Sequence, residues 1–213
     1  MSLDLFDKCH GEGGSFGRYR VRGDRTFHKP RLDSPPGPHM TWEGRPVVMW
    51  SVNSYLGLAG DPRIQEVAAR SIAEHGTSAP MGSRLLTGNT RAHEALEARL
   101  AAFAGKESSV LFNYGYMGVM GTIVSLVGRH DEVILDRESH ACMYDGAICA
   151  TPRRRFHTFA HNDPDDLDRV LRGVREKARG GILIVTEGVF GMRGDVAPLP
   201  EICDLAETHG ARV

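Results

Sequence analysis

The chain lacks an excess of charge of either sign. Among its 213 residues, 26 Lys and Arg stand against 27 Asp and Glu, which gives a formal net charge of -1. General nucleic-acid binders carry a basic excess that neutralises phosphates, so this class is excluded. Long apolar runs are also lacking. The longest, Met117–Val127, contains two glycines and is about half as long as a membrane span. The sequence therefore predicts no integral membrane span.

Cysteine is scarce and scattered. Cys9, Cys142, Cys149 and Cys203 form no CxxC pair, and the ten histidines form no HExxH motif. This pattern predicts free thiols in a reducing compartment and no metal site. The first residues lack the apolar core of a signal peptide, so we expect a cytoplasmic protein.

Residues 1–45 have little apolar periodicity. The segment Asp33–Pro38 holds three prolines, which fix φ and remove hydrogen-bond donors, so no regular structure is expected there. We predict two parts, an N-terminal arm over residues 1–45 and the first part of a large domain over residues 46–213. A short strand near Arg45–Ser51 begins the second part.

From Asp61 onward, short apolar segments alternate with amphipathic ones. The apolar segments predict strands at 109–112, 132–135, 155–159, 181–186 and 211–213, and the amphipathic segments predict helices at 62–75, 90–104, 115–127, 139–149, 164–174 and 200–209. This alternation is typical of an α/β protein whose mostly parallel sheet is covered by helices on both faces. Because the last strand has only three residues, we expect the natural protein to continue beyond Val213.

Parallel sheets bind ligands beyond the carboxyl ends of their strands, and suggestive residues follow the predicted strands here. Gly115 lies at a turn that opens a helix, where free N–H groups suit a phosphate. His140 begins the next helix and is either a capping residue or a functional one. Glu187 directly follows an apolar strand, so its carboxylate requires a partner or a role. Asp163 is interpreted as a helix cap, and His161 is given no catalytic role.

A dinucleotide site is the alternative interpretation of the Gly115 turn. Asp136 follows Gly115 at close to the spacing of a ribose-binding acid, but the turn has the sequence GYMGVMG and not GxGxxG. A GxxxxGK[ST] phosphate loop is also absent. Gly118 and Gly121 are better explained by close packing of the helix on the sheet.

Six motifs in order give the chain a family resemblance over about Trp42 to Val213. They are Asn53–Leu58, Gly82–Gly88, Tyr114–Tyr116, Glu138–Ala141, Phe159–Asp163 and Thr186–Phe190. The chain resembles the α-oxoamine synthases, enzymes that use pyridoxal 5′-phosphate (PLP) and include serine palmitoyltransferase and 8-amino-7-oxononanoate synthase. The resemblance implies the fold of fold-type I PLP enzymes, with residues 46–213 as the first part of the PLP-binding domain.

The resemblance also assigns roles to individual residues. The turn at Tyr114, Gly115 and Tyr116 would hold the PLP phosphate. His140 would stack on the pyridine ring, and Glu187 would lie near the ring and the bound amino acid. Substrate contacts would come from four other residues: Asn53, Ser83, Arg84 and Leu85.

The sequence departs from the family pattern in two ways. Gly191 replaces a serine that family members often carry after TEGVF. The Asp that pairs with the pyridine nitrogen and the Schiff-base lysine are both absent, because none of Lys8, Lys29, Lys106 and Lys177 matches the lysine motif. Both groups are therefore expected beyond Val213.

The function implied by the resemblance is a PLP-dependent condensation of an amino acid with an acyl-CoA, with loss of CO2, in a homodimer. Apolar Leu85 and Leu86 favour an uncharged acyl chain and the serine palmitoyltransferase-like branch. Another fold-type I enzyme, such as an aminotransferase or a lyase, and a lysine-free non-catalytic partner subunit are the alternatives. An NAD-linked oxidoreductase is disfavoured by the missing GxGxxG.

Overall fold

The computed structural model describes residues 32–77, 82–151 and 156–213. The chain divides into two compact units, Met1–Arg91 and Ala92–Val213. The first unit contains the antiparallel hairpin β1 (His39–Trp42) and β2 (Arg45–Val48), a short 3-10 helix (Leu58–Gly60) and α1 (Pro62–His75). The hairpin crosses residue 45, the predicted boundary between the arm and the large domain. Residues 1–31 of the predicted arm lie outside the described residues. The division into an arm and a large domain stays a prediction.

The second unit alternates helices and strands. Its elements are α2 (Arg91–Ala104, which begins at the last residue of the first unit), α3 (Gly115–Leu126), β3 (Glu132–Asp136), α4 (Ala141–Ala150), β4 (His157–Phe159), α5 (Pro164–Arg175), β5 (Ile182–Val185) and α6 (Leu199–Thr208). The three strands form a parallel sheet in the order β4-β3-β5, in which Ile134 pairs with both His157 and Ile184. Arg212 forms a parallel bridge with Leu183 on the other side of β5, as expected for the short last strand.

Helices cover both faces of this sheet, as the sequence predicted. Successive strand residues point to opposite faces, so β3 contributes Val133 and Leu135 to one core and Ile134 to the other. The first core includes Ile123 of α3 and Ala147 of α4. The second core is built with α5 and α6 and contains Phe159, Leu167, Leu171, Phe190 and Ile202, all nearly inaccessible to solvent.

One predicted strand is wrong. Residues 109–112 have no strand partner within the described ranges, and Glu97 of α2 accepts one backbone and one side-chain hydrogen bond from them. Leu111 N donates to Glu97 Oε1 over 2.8 Å, and Ser109 Oγ donates to Glu97 O over 2.8 Å. Of the helices in the described part of the chain, none is both long and apolar enough to span a membrane.

Candidate functional site

The carboxyl ends of the three parallel strands meet at one edge of the sheet in the second unit. Asp136, Phe159 and Val185 are the last residues of β3, β4 and β5. The segments that follow carry His140, His161 and Glu187, so three residues noted in the sequence lie at the same edge. This edge is the candidate site.

Glu187 finds its partner across this edge. The backbone N–H of His140 donates to Glu187 Oε1 over 2.6 Å, which joins the segment after β5 to the start of α4. A carboxylate that accepts a backbone N–H is partly compensated for leaving water. Burial, followed by the charge of Glu187, raises the pKa of the neighbouring Cys142 thiol.

His140 is both a helix cap and an exposed ring. Its Nδ1 accepts a hydrogen bond from Cys142 N over 3.2 Å and lies 3.0 Å from Cys142 Sγ. Because Nδ1 acts as an acceptor, the proton of the neutral ring is assigned to Nε2. The ring itself is exposed and stands edge-on to Tyr116, with centroids 5.9 Å apart. The capping interpretation is correct, and it leaves the ring accessible to a ligand.

The Gly115 turn has the properties of an anion site. Tyr114 is extended, and the first helical hydrogen bond runs from Gly118 N to Tyr114 O over 2.9 Å. The N–H groups of Gly115, Tyr116 and Met117 therefore have no acceptor within the helix. No acidic residue stands in the first turn of α3, and a Cβ built on Gly115 would meet open space. Here the positive end of the helix dipole favours a phosphate.

Gly118 has the packing role that the sequence suggested. A Cβ at this position would lie 3.3 Å from the Phe112 side chain, and one at Gly121 would lie 3.8 Å from it. Phe112 therefore packs against the glycine face of α3. This contact supports the segment that leads into the Gly115 turn.

Sequence reasoning missed Asp145. This residue of α4 accepts a short hydrogen bond from Tyr116 Oη, and that bond raises the pKa of the phenol. The contact links the first turn of α3 to α4 and fixes the Tyr116 ring beside His140. Asp145 lies five residues after His140, and only the packing of α3 on α4 reveals its role.

A second group of hydrogen-bonded residues lies at the ends of β3 and β4 and in the segments that follow them. Asp136 is fully buried, and its carboxylate accepts from Glu138 N (2.8 Å), Asn162 N (2.9 Å) and His161 Nδ1 (2.9 Å). His161 Nε2 lies 2.9 Å from Asp195 Oδ2. Since the Asp136 oxygens are buried and bonded, they cannot bind a ribose hydroxyl, and the dinucleotide interpretation of this residue is wrong.

The proposed substrate residues belong to the first unit. Asn53 and Ser83 are exposed, and Ser83 Oγ accepts from Leu85 N over 3.3 Å. Arg84 donates from Nε and Nη2 to Asn89 Oδ1 over 3.0 and 2.8 Å. Leu85 is 93% exposed. Their assignment to the substrate pocket stays a prediction.

Of the two described lysines, Lys177 lies at the edge of the sheet opposite to the one that carries His140. Lys177 follows α5 and lines a groove with Glu132, the first residue of β3, at the amino ends of the strands. Lys106 follows α2, where its N–H donates to Ala101 O. Lys8 and Lys29 lie outside the described residues.

Comparison with known proteins gives consistent matches. A family model described as aminotransferase class I and II matches residues 45–213. The chain is 39% identical over 213 residues to a cysteate-C-fatty acyltransferase of Capnocytophaga ochracea, covering 99% of this chain and 50% of that protein. It is 43% identical over 175 residues to an 8-amino-7-oxononanoate synthase of Geobacter sulfurreducens, covering 82% of this chain and 44% of that protein.

Solved structures agree with these matches. Serine palmitoyltransferase of Sphingomonas wittichii superposes with a TM-score of 0.88 at 32% identity, over 98% of this chain and 51% of that one. A PLP-bound serine palmitoyltransferase of S. paucimobilis gives a TM-score of 0.87 at 30% identity, with the same coverage. The predicted fold class is confirmed. The chain spans about half the length of the relatives it matches.

Proposed function

Because the chain belongs to the class I and II aminotransferase family and its relatives are α-oxoamine synthases, we propose that the full-length protein is a PLP-dependent C-acyltransferase. It condenses an amino acid with an acyl-CoA and releases CO2. The observation that carries this proposal is the contiguous group at the sheet edge, in which Tyr116 contacts the His140 ring and Glu187 accepts from His140 N.

The residues at this edge fit PLP. The N–H groups of Gly115 and Tyr116, which have no acceptor among the described residues, would hold its phosphate next to Tyr114, and the exposed His140 ring offers a flat face for its pyridine. Two buried hydroxyls, Ser139 Oγ and Thr186 Oγ1, have no hydrogen-bond partner among the described residues, and they flank His140 and Glu187 in the sequence. When bound, PLP supplies an electron sink for a carbanion at the amino acid Cα.

Each residue has a defined task in this proposal. Glu187 fixes the backbone of His140 and brings a negative charge to the position where the amino acid binds. Asp145 fixes the Tyr116 ring, which limits the movement of His140. Gly191 has no hydroxyl to offer the cofactor, so the hydrogen bonds at this edge come from the Gly115 turn and the residues beside His140 and Glu187.

A fatty acyl-CoA is the proposed donor. Each methylene that leaves water contributes about 0.8 kcal/mol, and the strongly exposed Leu85 and Leu86 supply apolar surface for such a chain. The Arg84 guanidinium already donates to Asn89 Oδ1, so it is a weaker partner for the carboxylate of a succinyl donor. The cysteate-C-fatty acyltransferase relative supports the same choice and makes cysteate, beside serine, an amino acid to test.

The full-length protein is further proposed to be a cytoplasmic homodimer. The arm of residues 1–45 has little apolar pattern with which to fold on itself, and it would pack against a second copy. Sedimentation of the full-length protein and of a variant without residues 1–40 tests this, because an active monomer would exclude the homodimer.

Thiol release is the decisive assay. The full-length protein is mixed with one amino acid and a series of acyl-CoAs of increasing length, with succinyl-CoA included, and free CoA and CO2 are measured. Release of both, greatest with long uncharged chains, supports the proposal, and Leu85→Asn should shift the preference to shorter or polar donors. Formation of a 2-oxo acid without free thiol would instead identify an aminotransferase.

The variant His140→Ala tests the site itself. We expect weaker PLP binding and a loss of turnover of at least about tenfold, because the ring-stacking surface is gone. His157→Ala is the matched control, since this ring pairs with Glu132 over 3.3 Å at the other end of the strands. Full activity of His140→Ala would refute the assignment.

A further inference from the structure

His161 joins two parts of the chain that are distant in sequence. Its Nδ1 lies 2.9 Å from Asp136 Oδ1 at the end of β3, and its Nε2 lies 2.9 Å from Asp195 Oδ2. The His161 side chain is 13% exposed, and that of Asp136 is inaccessible. These three residues are called the Asp136–His161–Asp195 bridge.

The geometry of the bridge favours a charged ring. A neutral imidazole donates from one nitrogen only and would turn a lone pair toward the other carboxylate. The Asp136 carboxylate accepts three N–H groups, and the hydrogen bond from His161 lowers the pKa of Asp195. Only the imidazolium donates to both.

The bridge holds one end of the segment that carries Glu187. Residues 187–195, called the Glu187 loop, are closed by two backbone hydrogen bonds, from Phe190 N to Asp195 O (2.9 Å) and from Gly194 N to Phe190 O (2.7 Å). Phe190 is buried, and its ring stands at 90° to the His161 ring with centroids 4.4 Å apart. The other end of the loop is Glu187, bonded to His140 N.

We propose that His161 is a positioning residue whose protonated ring fixes the Glu187 loop to the end of β3 and thereby sets the place of Glu187 beside His140. Its effect on catalysis rests on the proposed function, whereas its effect on the loop does not. Asp195 lies at the end of the loop and Asp136 at the end of β3, and the His161 ring joins the two. The proposal requires no direct contact of His161 with cofactor or substrate.

The expected pH dependence follows from the charges around the ring. Partial burial opposes protonation, but the hydrogen bonds to Asp195 and Asp136 outweigh it and raise the pKa of His161 above 6.5. A raised folded-state pKa stabilises the loop fully below about pH 6.5, and the stabilisation is lost as pH rises through the folded-state value. The other charged groups nearby are Arg193, which pairs with Asp195, and Asp166 of α5, which accepts from Ala160 N.

The test is limited proteolysis of the full-length protein. Trypsin cuts after Arg193, an exposed residue of the Glu187 loop, and the new end at Gly194 is quantified by mass spectrometry. Rates from pH 6 to 9 are divided by those for a free peptide of residues 188–198, which removes the pH dependence of trypsin. In the wild type we expect protection at low pH that declines as pH rises. In His161→Gln we expect cleavage about tenfold faster at low pH and a flat profile.

Two further variants make the result specific. In Asp195→Asn the side-chain amide can donate to a neutral His161, so protection should persist at high pH. His209→Gln is the matched control: His209 is equally shielded and bonded to Asp168 over 2.7 Å, away from the loop, and its loss should leave cleavage after Arg193 unchanged. If His161→Gln does not fold, the pH profile of cleavage of Asp195→Asn decides. Protection that persists at high pH supports the proposal, and a profile like that of the wild type contradicts it.

Equal cleavage of wild type and His161→Gln, or a flat wild-type profile, would overturn the inference. PLP affinity and turnover are then measured on the same variants. We expect His161→Gln to lower kcat and PLP affinity while the KM for acyl-CoA is unchanged. A pH-dependent loop in a protein that releases no thiol would support the bridge and refute the proposed function. Thiol release by a protein whose loop cleavage does not depend on His161 would support the proposed function and refute the bridge.

Discussion

Two helices of this molecule begin in the same way but differ in how deeply their apolar faces are buried. α1 begins with Asp61 and Pro62, and α5 begins with Asp163 and Pro164. In each, the Asp side chain caps the helix by accepting a backbone N–H, and Pro occupies the first turn. The apolar face of α5 is buried, with Leu167 and Leu171 inaccessible. In α1 the corresponding residues are about half exposed: Ile64 at 47%, Val67 at 56% and Ile72 at 52%.

The difference teaches that capping and periodicity form a helix, whereas burial depends on what the rest of the chain supplies. α5 has β3, β4, β5 and α6 to pack against. In the described part of the first unit, Met40 is the one hydrophobic side chain that is buried. The stability of the described protein therefore resides mainly in the second unit, and the following substitutions test this contrast in the full-length protein.

Truncating the α5 face should have the largest effect. Leu171→Ala leaves a cavity in a closed core and should lower the free energy of unfolding by about 2–5 kcal/mol. Ile72→Ala in α1 removes a half-exposed side chain and should cost about 0.5 kcal/mol or less. Urea unfolding of the two variants measures both. A loss from Ile72→Ala as large as that from Leu171→Ala would show that the α1 face is covered in the full-length protein.

A methyl group added between α3 and α4 should have the next largest effect. A Cβ at Gly146 would lie 3.0 and 3.1 Å from Ile123 and 3.3 Å from the backbone of Met120. Because Ile123 is buried, Gly146→Ala should cost about 1–3 kcal/mol. Gly173→Ala, on the open side of α5, meets nothing within 4 Å and should stabilise by about 0.4–1 kcal/mol. A neutral Gly146→Ala would mean that α3 and α4 are more loosely packed than the structure shows.

Removing the two caps should give the smallest difference. Asp163→Ala should lower the free energy of unfolding by about 1 kcal/mol, because the Asp166 N–H loses its acceptor at the start of a packed helix. Asp61→Ala removes the same interaction with Arg63 N from a helix that contributes little to the described core. Its effect should be confined to faster amide exchange in the first turn of α1. Equal shifts of the unfolding midpoint would contradict the contrast between the two units.

Much of this architecture was predictable from local patterns. Caps and apolar periodicity located the six α-helices of the described residues to within about two residues, because these signals act over a few neighbouring positions. Residues 109–112 failed because an apolar segment specifies an extended chain but not its partner, and here Glu97 of α2 takes the hydrogen bonds.

The candidate site, too, could be predicted only in part from the sequence. His140 and Glu187 were predicted to lie together because each follows a strand, and the parallel topology brings such positions to one edge of the sheet. Gly115 was predicted from the turn that opens α3, although residues 109–112 before it form no strand. The bridge through His161 was missed because it depends on Asp136 and Asp195, which are remote in sequence. A buried carboxylate at the end of β3 was the available signal, since such a group requires several donors.

The strand order also governs the sequence of events in folding. β3 lies between β4 and β5, yet it is synthesised before both. Pairing Ile134 with His157 closes a much shorter loop than pairing Ile134 with Ile184, so the β3–β4 ladder costs less chain entropy and is favoured to form first. The other edge of β3, where Glu132 N donates to Gly181 O next to β5, then stays unpaired until β5 has left the ribosome. During synthesis this unpaired edge is exposed to aggregation, and α3, which is made earlier, packs on the face of β3 that carries Val133 and Leu135.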